Sequence, residues 1–123
     1  MKALLLAAHG SRRAPSNSEV AALAERMAGL AGPGWAWVGH GFLELASPDI
    51  PAAVDQAVAA GADEILVLPY FLAAGRHVRE DLPAQVETAR RRHAGVAIRL
   101  VPHLGAARGL AELLWREVAA ADA

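Results

Sequence analysis

The apolar and polar positions along the chain change period in a regular way. Lys2 to Ala8 opens with a nearly unbroken apolar run, which reads as a buried strand. Beyond it the period becomes helical. Val20, Leu23, Met27 and Leu30 share one face, with Ser16 placed as an N-cap and Glu19 three residues on in a capping-box pattern. Gly32-Pro33-Gly34 ends this helix. A second strand is predicted over Trp35 to His40. Ser47-Pro48 then opens a second helix, with proline at the first helical position, Ile50, Val54, Ala57 and Val58 facing inward and Gly61 closing it. Glu64 to Leu68 is again almost continuously aliphatic, as expected for a central parallel strand covered on both faces. A third helix is predicted from about Arg79 to His93, with Leu82, Val86 and Ala89 inward. Val96 to Val101 forms the fourth strand. A last helix over about Ala106 to Ala120 carries Leu110, Leu113, Leu114 and Val118 as its apolar stripe.

Strands alternating with helices imply right-handed crossovers and a parallel sheet. The pattern predicts a flavodoxin-like, three-layer α/β domain with four parallel strands in the order 2-1-3-4 and helices on both faces. A chain of 123 residues can build one such core and not two, so residues 1–123 are expected to form a single domain. In that order the topological switch point lies between strands one and three, and ligands of such sheets bind outside the carboxyl ends of the strands.

The histidines collect at that edge. His9 follows strand one in Ala8-His9-Gly10-Ser11-Arg12, and His77 follows strand three in Gly75-Arg76-His77-Val78. His40 and His103 follow strands two and four; only His93 falls at a helix end, beside Arg90-Arg91-Arg92. Neutral imidazole is the commonest metal ligand, so His9 and His77 are the candidate metal pair. Gly10 permits a tight exit from the strand, and Ser11, Arg12 and Arg13 can meet an anion. Glu44, in Gly41-Phe42-Leu43-Glu44-Leu45, has apolar neighbours that would desolvate it and suit it to proton transfer. His40 and His103 are read as structural or rim residues, His93 as a solvated helix end, and Trp35, Trp37 and Trp115 as packing residues.

Composition narrows the function. Twelve Lys and Arg stand against thirteen Asp and Glu, a net charge of -1, so no global basic field invites nucleic acid. Arg12, Arg13, Arg76 and Arg79 nevertheless gather in or after the loops of strands one and three. That local excess suits a small anionic ligand. The chain has no cysteine, which excludes disulfides, thiolate catalysis and zinc–thiolate sites. No stretch approaches the roughly 20 apolar residues of a membrane span. A soluble, cytoplasmic protein is expected.

With these residues in place, the chain resembles the small class II chelatases of the CbiX/SirB type. The resemblance runs over essentially the whole length. It rests on Leu4-Leu5-Leu6-Ala7-Ala8-His9-Gly10-Ser11-Arg12, Phe42-Leu43-Glu44 with Pro48, and Leu68-Pro69-Tyr70-Phe71-Leu72. It continues through Gly75-Arg76-His77-Val78-Arg79-Glu80-Asp81-Leu82-Pro83 and Pro102-His103-Leu104-Gly105. His103 and Ala106-Ala107 depart from the family's usual fourth loop, and His40 is not a standard feature. The resemblance implies insertion of a divalent metal into sirohydrochlorin on the route to cobalamin or sirohaem; Co²⁺ is the metal expected first, with Fe²⁺ and Ni²⁺ as alternatives, since all three accept imidazole and carboxylate. It implies His9 and His77 as metal ligands, Glu44 as the acidic partner, and a homodimer, with no permanently bound cofactor. Arg12, Arg13 and Arg76 would then meet substrate carboxylates, and Phe42, Tyr70, Phe71 and Leu72 would form an apolar wall for the macrocycle.

Three other readings fit parts of the pattern. A histidine phosphohydrolase would have Arg-His-Gly after strand one, where this chain has Ala8-His9-Gly10. A mononucleotide binder would have a glycine- and hydroxyl-rich phosphate loop there, which His9-Gly10-Ser11-Arg12-Arg13-Ala14-Pro15 is not. A metal or tetrapyrrole carrier would use the same site without turnover.

Overall fold

The computed structural model describes residues 1–122. Four parallel strands form one sheet in the order β2-β1-β3-β4, as the alternation of periods predicts. The strands are β1 (Lys2–Ala8), β2 (Trp35–Phe42), β3 (Glu64–Pro69) and β4 (Ala97–Leu100). The helices are α1 (Ala14–Leu30), α2 (Ile50–Ala59), α3 (Leu82–Arg92) and α4 (Leu110–Asp122). β1 is central, with Leu4 opposite Val38 of β2 and Leu66 of β3.

Alternation along each strand sorts the sheet into two unequal faces. Ala3, Leu5, Ala7, Ile65, Val67 and Ile98 point to one side and join Val54 and Ala57 of α2 and Leu82, Val86 and Ala89 of α3 in the main core. α1 lies on the opposite side, mainly over β2. It buries only Ala24 fully, and its predicted stripe of Val20, Leu23 and Met27 is half-buried, with Leu30 exposed.

Several boundaries differ from the sequence pattern for local reasons. α1 begins at Ala14 with Arg13 as N-cap and Pro15 in its first turn, so Ser16 lies inside the helix. Ser16 donates its backbone N–H to the Arg13 carbonyl at 3.1 Å. Asp49, not Ser47-Pro48, starts α2: its carboxylate accepts from the Ala52 N–H at 2.8 Å, and Pro51 occupies the first turn. Pro48 precedes the helix, after a cis peptide bond. β2 runs two residues further than predicted, through Phe42. Leu104–Ala106 is a 3₁₀ turn, so α4 begins only at Leu110.

α4 is the largest departure from a closed three-layer domain. None of its described residues is buried, and Leu113, Leu114, Trp115 and Val118 are exposed. Trp115 is therefore not a packing residue within the chain, whereas Trp37 packs against the core and Lys2 lies over the Trp35 ring at 5.9 Å. His93 also departs from expectation. It is half-buried and bonds Asp55 at 2.6 Å, while Arg92 bonds the same carboxylate at 2.8 Å. Together they pin α3 to α2.

Candidate metal centre

The carboxyl ends of β1, β2 and β3 bring three side chains together. His9, Glu44 and His77 each offer a ligand atom, and these atoms all lie within 4.8 Å of one another. The His9 and His77 rings stand 4.3 Å apart between centroids, tilted by 37°. His9 Nε2 lies 3.7 Å from a Glu44 carboxylate oxygen. Donors on one ion at about 2.1 Å each stand no more than about 4.2 Å apart, so small side-chain rotations would gather the three around a cation. It is the only such group of metal-binding side chains among the described residues.

The backbone explains why the three meet. The loop after β1 is bonded to the loop after β2: Leu43 N–H donates to the Ala8 carbonyl at 2.9 Å and Glu44 N–H to the His9 carbonyl at 3.0 Å. Gly10 makes this possible. It has φ +96°, and a Cβ there would collide with the Glu44 carbonyl oxygen. Asn17 braces the other side of the loop, its side chain accepting from the Ser11 N–H at 2.9 Å and donating to the Ser11 carbonyl at 2.8 Å. The Ser11 hydroxyl accepts from the Arg13 N–H at 3.0 Å, which spends one of its bonding positions on the loop itself.

His77 is held differently. It begins a π-turn, His77–Asp81, that leads into α3. The turn sets Asp81 behind the ring, and His77 Nδ1 meets an Asp81 carboxylate oxygen at 2.7 Å. With a proton on Nδ1 in that bond, the lone pair is left on Nε2. Asp81 has no periodicity to mark it. The available signal was its i, i+4 spacing from a candidate ligand.

The remaining predicted residues divide. Arg12, Arg13, Arg76 and Arg79 are exposed around the edge, with Arg76 3.4 Å from Glu80. Tyr70, Phe71 and Leu72 line a shallow apolar hollow together with Leu104, a residue the sequence did not single out for the wall. Phe42 is not part of that wall. It is 2% exposed, held edge-on against His40 with centroids 5.3 Å apart. Glu44 is also not desolvated as expected. Leu43 turns into the core, Leu45 turns out with φ 67°, and Glu44 between them is exposed. His40 stays under α1, where burial lowers its pKa against the raising effect of Glu25. His103 precedes the 3₁₀ turn without a side-chain cap bond and is outside the three-residue cluster.

Known proteins are similar to this chain in sequence and in fold. The chain is 32% identical to a sirohydrochlorin cobaltochelatase of Sulfurisphaera tokodaii, over 96% of this chain and 92% of that protein. It is 39% identical to a sirohydrochlorin cobaltochelatase of Methanopyrus kandleri over 68% of this chain. The match spans 57% of that relative's length. Among solved structures, the sirohydrochlorin chelatase SirB of Bacillus subtilis subspecies spizizenii, in complex with cobalt, superposes with a TM-score of 0.80 at 27% identity. That likeness covers 95% of this chain and 49% of SirB. The CbiX family model matches residues 3–121, and with the sheet order and whole-length likeness above, the chain belongs to the CbiX family.

Proposed function

We propose that the chain inserts a divalent metal, Co²⁺ in the first place, into sirohydrochlorin. The observation that carries this reading is the meeting of His9, Glu44 and His77 within 4.8 Å. An inserting enzyme has to hold its metal loosely enough to surrender it. Imidazoles and one carboxylate with open positions suit that better than a closed four-ligand cage. In this reading His9 and His77 hold the metal substrate and Asp81 keeps the Nε2 lone pair of His77 turned toward it. As the dication enters, it displaces protons from pyrrole N–H groups. Glu44, exposed and 3.7 Å from His9, can take the two protons one after the other and pass each to water. The ring would lean on the hollow formed by Tyr70, Phe71, Leu72 and Leu104, its carboxylates meeting Arg12, Arg13 and Arg76.

A four-stranded domain offers one ligand edge and little wall around a macrocycle. We therefore infer a homodimer that closes the cleft with a second copy.

The test is insertion into sirohydrochlorin with Co²⁺, Fe²⁺ and Ni²⁺ compared under one condition, followed by absorbance. Fastest turnover with Co²⁺ is expected, with His9→Ala and His77→Ala each folded by circular dichroism but inactive. Preferred insertion of Fe²⁺ or Ni²⁺ would reassign the metal. Metal binding without insertion would make the protein a carrier.

A further inference from the structure

One peptide unit stands between the elements that carry the two histidines. It joins Leu43 to Glu44, so it leads directly to the Cα from which the Glu44 carboxylate hangs. A trans peptide points its N–H and its carbonyl to opposite sides. The Glu44 N–H donates to the His9 carbonyl at 3.0 Å. On the other side, the Leu43 carbonyl accepts from the Gln85 side-chain amide at 2.9 Å. A carbonyl only accepts, so the NH2 end of Gln85 is the end that faces it. The peptide is thus gripped by the His9 loop on one side and by α3, the helix behind His77, on the other.

The winding at the start of that helix lets it serve both ligands. In an α-helix, residues four apart drift round the axis, since a turn holds 3.6 residues. The π-turn is wider: the Leu82 N–H bonds back to the His77 carbonyl, five residues earlier. This widening offsets the drift, and brings His77, Asp81 and Gln85, spaced by four, closer to one line along the helix. Asp81 brackets the His77 ring at 2.7 Å, and Gln85 reaches across to the neighbouring loop. Leu82 and Val86 beside that line are fully buried, so Gln85 projects from an anchored helix.

The loop that carries Glu44 has few other restraints on its ligand. The Glu44 side chain is exposed, and its carboxylate lies 3.7 Å from His9 Nε2, beyond hydrogen-bond reach. Its place is therefore set by its backbone. Leu45 follows with φ 67°, a left-handed conformation that leucine keeps only where its surroundings impose it.

We propose that Gln85 is a positioning residue. By holding the Leu43 carbonyl it fixes the Glu44 carboxylate relative to the His9 and His77 imidazoles, and so sets how tightly the site holds a divalent cation. In this role Gln85 touches neither metal nor tetrapyrrole and acts only through Glu44. The inference rests on the metal site of the functional reading and not on insertion itself.

Calorimetric titration with Co²⁺, without tetrapyrrole, tests it in a double-mutant cycle. Gln85→Met keeps the length of the side chain and removes the donor. It is expected to lower Co²⁺ affinity about tenfold, the low end of what a partner behind a ligand contributes. Glu44→Gln is expected to lower it at least as much. In the Glu44→Gln background, Gln85→Met should lower it by less than about twofold more, because the group it positions is gone. If Gln85→Met does not fold by circular dichroism, Gln85→Ala takes its place in the cycle, since it leaves room for a water at the Leu43 carbonyl. Unchanged affinity in Gln85→Met or in Glu44→Gln would overturn the proposal, and so would a loss in the double variant equal to the two single losses combined. Wild-type protein that does not bind Co²⁺ would overturn the metal site and this role together. Co²⁺ bound tightly but never inserted would overturn the insertion reading alone and leave the role of Gln85 standing.

Discussion

His77 and Asp81 show how much can hang on one hydrogen bond. A histidine has two nitrogens, and which one is free to bind a metal depends on what the other is doing. Here a carboxylate oxygen lies 2.7 Å from Nδ1, which favours the tautomer with its lone pair on Nε2. Asp81→Asn keeps the size but weakens the acceptor, and its amide can instead donate to Nδ1 and favour the wrong tautomer. Co²⁺ affinity by calorimetry is expected to fall about 10- to 100-fold, the usual cost of losing a partner behind a ligand. The melting temperature should hardly move, because both side chains are part-exposed. Affinity within threefold of wild type would show that Asp81 does not position the ring. Residue types and strand ends made His9, Glu44 and His77 legible in the sequence. Asp81 was not legible as a partner because its role depends on a π-turn that ordinary helical periodicity does not announce. Phe42 was misjudged for a related reason: β2 continues through it, and the extended strand carries its ring inside.

At the scale of elements, β2 and α1 enclose a second histidine with a measurable consequence. His40 sits opposite Leu6 in the sheet and under α1, and burial lowers its pKa from 6.5 while Glu25 opposes the shift. On acidification the unfolded chain therefore takes up this proton first. The contribution to stability is complete above about pH 6.5 and is lost as the pH falls through the lower, folded value. Thermal melts between pH 5 and 8 should show a shallower acid slope in His40→Gln than in wild type, the other histidines cancelling in the difference. Equal slopes would mean that His40 does not differ between the folded and unfolded states. The elements themselves were largely readable. Uninterrupted aliphatic runs marked β1 and β3, and alternating strands and helices fixed the parallel order. Helix starts were less readable, since Ser16 and Ser47-Pro48 carry the usual signals, yet Arg13 and Asp49 take the capping positions. α4 was read correctly as an amphipathic helix but not as an unpaired one, because periodicity reports a face and not what covers it.

Across the whole molecule the net charge is only -1, so attraction for an anionic macrocycle has to come from where the arginines sit. Arg12, Arg13, Arg76 and Arg79 are exposed around the carboxyl edge, and a homodimer that faces two such edges would double that field over one cleft. Arg76 has a neighbour in Glu80 at 3.4 Å, with both side chains mostly exposed. Such a pair contributes little to stability, so the guanidinium can turn to a substrate carboxylate at small cost. Arginines at the rim act on encounter and binding more than on the reacting nitrogens. Arg12→Glu and Arg76→Glu are therefore expected to raise KM for sirohydrochlorin several-fold more than they lower kcat. The KM effect should shrink as salt is raised from low ionic strength to 0.5 M, where the screening length is only a few ångströms. Steady-state insertion at two salt concentrations separates the possibilities. A fall in kcat with KM unchanged would place these arginines in the chemical step instead, and unchanged kinetics in both variants would move the macrocycle away from this edge.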